Sequence, residues 1–310
     1  MKKTKLIIIF ILSVFLMIGC TKQAEDTSGA TSSIIFSDAL GREVTITNPE
    51  KVGVASGSIA KIWNLAGGSL AAATHDAFED KSIDFPQEII DMGNLKEPSL
   101  ETILSADLDL VFLIPGIKNH VQIADTLEKA GVQCVFVEIE SFEDYLNILN
   151  TFTDITGRKD LYKENGLDIQ DSITQTIESK KLTNSPKVLL LRTSESKVTV
   201  RDSNTMAGAM LKDLGCVNIA DKEQSLLTDL SIEEIVSQQP DYIFVICMGD
   251  FEDGEKQLKH IINSNPVWGT LKAVKDDRMF YLDKELFHLK PNIRWGESYE
   301  VLAEYLSNEK

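Results

Sequence analysis

Two stretches of the chain repeat one alternation of apolar and polar positions, 132 residues apart: SLETILSADLDLVF from Ser99 to Phe112 and SIEEIVSQQPDYIF from Ser231 to Phe244. Aligned without gaps they share two serines, a glutamate, an isoleucine, an aspartate and the final phenylalanine. Each predicts a short helix followed by a buried strand. Ser99 and Ser231 stand where a helix N-cap is wanted, and acidic side chains follow in the first turn, where the helix dipole favours them. The runs LVFLI and YIFVI are apolar without alternation, as suits a parallel strand covered on both faces. A repeat spaced by more than a hundred residues is too long for a solenoid and implies two similar α/β lobes.

Elsewhere the pattern fills in those lobes. SSIIFSDALGREVTITN alternates around Asp38-Ala39-Leu40-Gly41 and predicts a β-hairpin. Lys51 to Ala55 reads as a strand, Ser56-Gly57-Ser58 opens a helix, and Leu65 to Gly68 closes it, the βα unit of a parallel sheet. Pro115-Gly116 breaks the strand of the first repeat copy, Asn119 to Ala130 follows as a helix, and GVQCVFVE returns as a strand. From Phe142 the period changes: Phe142, Tyr145, Leu146, Leu149, Phe152 and Ile155 share one helical face. Gly157 interrupts it, and a second helix follows with Tyr162, Ile169, Ile173 and Ile177 on one stripe. Lys159 to Lys180 would span roughly 30 Å. A strand from Lys187 to Leu191 and a helix from Met206 to Leu214 then restart the βα pattern. The segment LKAVKDDRMFYLD leads to a last strand, and Arg294 to Leu306 closes the chain as an amphipathic helix. The fold class is therefore α/β: two Rossmann-like lobes with parallel-type central sheets, residues 34–140 and 183–310, joined by connecting helices over 141–182, with a ligand cleft between the lobes.

The 310 residues are 43% hydrophobic and 25% charged, enough to bury one or two full cores. The front end is different. Lys2, Lys3 and Lys5 precede LIIIFILSVFLMI, which is short for a membrane span and suits a signal peptide over residues 1–19. A small residue before Cys20 resembles the lipobox of bacterial lipoproteins, although Leu16 stands one position earlier than the preferred leucine. The resemblance implies cleavage, lipidation of Cys20 and a membrane anchor on the extracytoplasmic face, followed by a flexible tether over residues 20–33. Removing the three signal lysines takes 31 basic residues to 28 against 48 acidic ones, a net charge of −20, which argues against nucleic acid as a partner. Cys134, Cys216 and Cys247 form no CxxC motif and read as buried small hydrophobes. No Gly-Lys-Ser/Thr follows the Ser56–Ser58 turn or the Gly249–Gly254 spacing, so a phosphate loop is excluded.

In this order, DALGREVTI, MGNLKEPSLETILSADLDLVF, SIEEIVSQQPDYIFV and VWGTLKAVKDDRMFYLD resemble the solute-binding lipoproteins of ABC importers for ferric siderophores, haem and cobalamin, over essentially the whole mature chain. The resemblance implies that one glutamate on each lobe docks onto arginines of a permease dimer. Glu101 and Glu233 match those positions, with Glu234 the alternative to Glu233. Each is also a first-turn acid favourable to its helix dipole.

In two-lobed α/β proteins a ligand lies where strand carboxyl ends of both lobes face one another. That selects the loops around Ser56 and Ser58, Thr74 to Asp76, Ile114 to His120 with Lys118, Arg192 to Ser196, Met248 to Phe251, and His288 to Trp295. Only six arginines occur, and Arg192, Arg201 and Arg294 fall in or near these loops with Lys118 and Lys290. Scarce guanidinium groups gathered at a cleft of an acidic chain suit an anionic ligand such as a carboxylate or metal-catecholate. Trp295 offers a stacking face for a planar ligand. His288 offers an axial ligand, with Met206 or Met248 as its partner on haem. His75, His120 and His288 leave a bare transition metal open. No resident cofactor is expected; any iron or cobalt would arrive with the ligand. No Gly-x-Ser-x-Gly, HExxH or Cys-His pairing is present, which makes an extracellular metal-dependent enzyme the rival class and a non-enzymatic, monomeric capture protein the leading one.

Overall fold

The chain folds from its sheets outward, and the computed structural model describes residues 33–79, 89–180, 182 and 184–307. The expected signal peptide, Cys20 and the tether up to residue 32 lie outside the described residues. The hairpin forms as expected: Ser33–Ser37 and Glu43–Thr47 pair antiparallel, and Gly41 takes the left-handed conformation (φ 74°) that closes the turn. The buried Asp38 carboxylate accepts from the backbone N–H groups of Leu40, Arg42 and Phe136, and from the Arg42 guanidinium at 2.9 Å. Arg42 in turn reaches Glu128 and the Cys134 carbonyl, so the hairpin is riveted over the edge of the first sheet.

That sheet has five parallel strands in the order Ile90–Asp91, Ala72–Ala73, Val52–Val54, Leu110–Leu113, Gln133–Phe136. The second sheet repeats its plan. Lys187–Thr193 is flanked on one side by Val217–Asn218 and on the other by Tyr242–Cys247 and then Met279–Leu282, all parallel. In both lobes the first strand thus lies inside the sheet, Val52–Val54 between Ala72–Ala73 and Leu110–Leu113, and Lys187–Thr193 between Val217–Asn218 and Tyr242–Cys247. Apolar side chains cover each sheet on both faces, which explains why the strand runs do not alternate. One strand departs from the parallel expectation: Val198–Arg201 adds antiparallel to the outer half of Lys187–Thr193.

The two repeat copies occupy equivalent places. Ser99 and Ser231 cap the helices Leu100–Ser105 and Ile232–Gln238, accepting from the N–H three residues on. Each copy then has a non-glycine residue with positive φ at the same aligned position, Asp107 (52°) and Gln239 (44°). The aspartate after it hooks the helix–strand unit onto the start of the central strand. Asp109 accepts from the N–H groups of Glu50 and Lys51 and donates its own N–H to the Lys51 carbonyl. Asp241 does the same with the N–H and carbonyl of Lys187.

Between the lobes run the connecting helices. Phe142–Thr156 opens with a reciprocal capping box between Ser141 and Asp144 and ends at left-handed Gly157. The next helix is not the continuous rod its apolar stripe predicts. It runs as Lys159–Tyr162, loosens into a π-turn over Lys163–Leu167, and resumes as Asp168–Ser179. The turn is held by the preceding connector helix and by the first lobe. The Asn165 carbonyl accepts from the Tyr145 hydroxyl at 2.6 Å, and its amide donates to the Leu65 carbonyl at 3.0 Å. Gly166 is buried there; a Cβ would meet Leu146 and Leu149 at 3.1 Å each. Beyond the turn, Asp168–Ser179 packs on the closing helix Trp295–Ser307. The helix Phe251–Ser264, capped by Asp250, has no counterpart among the expected elements.

Candidate ligand-binding site

Ligands of doubly wound sheets bind beyond the carboxyl ends of the strands where the order reverses, which is between Val52–Val54 and Leu110–Leu113 in the first lobe and between Lys187–Thr193 and Tyr242–Cys247 in the second. In the second lobe these ends are Arg192–Thr193 and Ile246–Cys247. A cavity of about 170 Å³ opens there, lined by Arg192, Arg201, His288 and Lys290 together with Ile246, Phe287 and Glu140. Four of the residues expected at the site are therefore brought together. The antiparallel strand does this for Arg201. Leu190 pairs with Arg201 and Arg192 with Thr199, so Arg192 and Arg201 project from one face as diagonal neighbours.

Neither guanidinium has a hydrogen-bond or ion-pair partner among the described residues. Burial, and the charge of Arg201 beside it, hold the Arg192 pKa below its ordinary value. Burial likewise lowers that of His288, assisted by Arg192 and Lys290, so its imidazole is neutral near pH 7. Lys290 pairs with Glu140 at 3.2 Å across the lobes. Met206, one of the two methionines considered as a partner for His288, also lines this cavity; Met248 does not, and donates its N–H to the Thr193 carbonyl.

The remaining residues lie elsewhere. Arg294 is held bidentate by Glu297 at 2.7 and 2.8 Å, with Glu285 at 3.4 Å, and does not line the cavity. Its charge is already matched by acids of its own segment. Trp295 is 1% exposed and packs edge-on to Phe142, 5.6 Å between centroids, so its faces belong to the core between the closing helix and the connector and offer no stacking platform.

On the first lobe, Ser56 is buried and precedes the helix Gly57–Leu65 without capping it; Asp76 takes the Gly57 N–H at 2.7 Å instead. A Cβ on Gly57 would meet the Asp76 carbonyl at 2.9 Å, so only glycine lets this helix start approach the Thr74–Asp76 loop. Ser58 is half-buried in that helix and Lys118 is exposed at the start of Lys118–Lys129. The Thr74 hydroxyl and one oxygen each of Asp76 and Asn119 are buried without a partner at these strand ends. No periodicity marks them in the sequence.

His120 does not serve as a metal ligand. Its Nδ1 accepts from the Ile114 N–H at 3.0 Å and its Nε2–H donates to the Leu95 carbonyl at 2.7 Å, which commits both nitrogens. His75 is exposed and pairs with Asp91, whose carboxylate raises its pKa. Among the described residues no three His, Cys, Asp or Glu side chains converge on a metal-sized site. Cys134, Cys216 and Cys247 are buried as expected; burial pushes the Cys134 and Cys216 thiols up to about 12 and Cys247 to about 11.

Away from the cavity, Glu101 and Glu233 occupy the same first-turn position of the two repeat helices, exposed and without partners among the described residues. Glu234 differs, accepting from the Ser237 hydroxyl and the Gln238 amide at 3.0 Å each.

Among known proteins, this chain is 21% identical over 94% of its length, and 94% of the relative's, to YhfQ of Bacillus subtilis, whose name provisionally describes an ABC transporter substrate-binding lipoprotein. It is 23% identical to the high-affinity heme uptake system protein IsdE of Staphylococcus aureus, over 72% of this chain and 76% of that one. Its fold matches the periplasmic catecholate-siderophore binding protein VctP of Vibrio cholerae with a TM-score of 0.68 at 16% identity, covering 88% of this chain and 99% of that one. No helix among the described residues is long and apolar enough to cross a membrane. The family profile described as periplasmic binding protein matches residues 52–286, and with its paired α/β lobes and a basic opening at the strand ends, the chain belongs to that family.

Proposed function

We propose that this protein captures an anionic iron complex outside the cytoplasm and hands it to an ABC permease. One observation carries the reading: Arg192 and Arg201 stand side by side without acidic partners at the second lobe's strand ends, in a chain of net charge −17. Two unpaired guanidinium groups held together cost repulsion and desolvation, which an incoming anion relieves through charge-assisted hydrogen bonds. The relatives' names support an iron cargo, since one is called a heme uptake protein and another a catecholate-siderophore binding protein. A ferric siderophore is the first choice of cargo, with haem or cobalamin as the alternative. The metal-dependent enzyme is disfavoured by the commitment of both His120 nitrogens and by relatives named for binding. Glu101 and Glu233 serve as the two permease contacts, with lipid on Cys20 keeping a monomeric protein at the membrane surface.

The test is fluorescence titration of the mature chain with a ferric tris-catecholate, haemin and cobalamin. Replacing Arg192 and Arg201 together by alanine is expected to weaken an anionic complex by about 10–100-fold, the loss of two charge-assisted contacts. Equal affinity of variant and wild type would remove the cavity from the function. Glu101→Ala with Glu233→Ala is expected to abolish uptake in cells while leaving chelate affinity in solution unchanged.

A further inference from the structure

Glu140 is unlike the other polar residues of the basic cavity. It is the one acid lining it among the described residues, it comes from the first lobe, and it faces Lys290 of the second lobe at 3.2 Å. Its place does not depend on that pairing. Its backbone N–H donates to the Asp144 carboxylate at 3.0 Å, and the same oxygen takes the Ser141 N–H in the capping box that opens the connector. The carboxylate is thus mounted at a helix start and aimed at a site whose other fixed charges are Arg192, Arg201 and Lys290. With His288 neutral, three positive charges stand against one negative.

We propose that Glu140 is a specificity-determining residue: its carboxylate is the cavity's built-in counter-anion, which competes with an incoming ligand for Lys290 and matches the site to a ligand of about two negative charges. This rests on reading the cavity as the chelate site. A neutral ligand gains nothing from the remaining positive field. A doubly charged one is neutralised by the arginines while Lys290 keeps its partner. A triply charged one must displace Glu140 or lie beside it. Because Glu140 is 57% exposed, solvent screens its field, and removing its charge is worth about three- to tenfold in affinity per ligand charge.

The experiment compares wild type, Glu140→Gln and Glu140→Asp in the full mature chain against three probes: a neutral ferric trihydroxamate, haemin with its two carboxylates, and a triply charged ferric tris-catecholate. Glu140→Gln is expected to tighten the tris-catecholate by tenfold or more, haemin by less, and the trihydroxamate by less than twofold, with a steeper salt dependence for the charged probes. Glu140→Asp keeps the charge and should stay within about twofold of wild type for all three. If the wild type binds one or more probes and Glu140→Gln changes all three affinities alike, or none, the inference falls and the chelate reading survives. If the wild type binds none of them, both fall together.

Discussion

His120 shows how much a single side chain can be asked to do once it is buried. It joins the end of one strand to the Leu95 carbonyl, and burial lowers its pKa from the ordinary 6.5. A histidine depressed in the folded state stabilises in full above its unfolded pKa, and that contribution is lost as pH falls through the folded value. His75, raised by Asp91, works in the opposite direction: its contribution is present below its unfolded pKa and fades as pH rises through the folded one. Unfolding in urea should therefore show stability falling below about pH 6.5. His120→Leu should lower stability by ~2–4 kcal/mol at neutral pH, from the orphaned Ile114 N–H and Leu95 carbonyl, and flatten the acid slope. Unchanged slopes would assign the pH dependence elsewhere. At this scale the sequence tells which loop a residue occupies but not which way it points. Arg192 and His288 were legible because strand ends converge on a cleft. Arg294 and Trp295 share such a loop, yet one turns to Glu297 and the other into the core.

Among elements, the repeat was the most legible feature, because each copy carries its own cap, its own apolar run and an aspartate that hooks the preceding strand. Asp109→Ala and Asp241→Ala should each cost ~1–2 kcal/mol, as partly exposed backbone groups lose an acceptor that water replaces imperfectly. Because the two aspartates share no partner, the double variant should show the sum of the single losses in thermal or urea unfolding. Asp38→Ala should cost more, ~2–4 kcal/mol, since its carboxylate is buried and serves three backbone N–H groups as well as Arg42. The strand Val198–Arg201 was not read in the sequence: polar turns flank it and Val198 and Val200 alternate with Thr199 and Arg201, but two apolar positions are too few to mark a strand by themselves, and what makes them one is the free outer half of Lys187–Thr193. The π-turn was hidden for a related reason. Its apolar stripe continues across it, and the cause lies in the contacts of Asn165 with Tyr145 and Leu65, far away in the chain.

The whole molecule combines two sheets of one plan with a connector that changes allegiance midway. Up to Leu167 it is tied to the first lobe through Asn165 and touches the closing helix at its start, where Phe142 and Tyr145 meet Trp295; from Asp168 it packs along that helix. Deleting one residue within Lys163–Leu167 should leave helix content nearly unchanged by circular dichroism, while uptake in cells falls sharply. Retained uptake would show that the turn has no bearing on how the lobes face the permease.

A helix advances 1.5 Å and turns about 100° with every residue. If Glu101 and Glu233 are the permease contacts proposed above, the loosened turn at 163–167 contributes a phase angle to the bearing of one relative to the other, much as a keyway sets a gear on its shaft. On that proposal, two chains differing here by one insertion would present the same pair of pegs at different bearings, and a socket cut for one would refuse the other even though every residue of both pegs were identical.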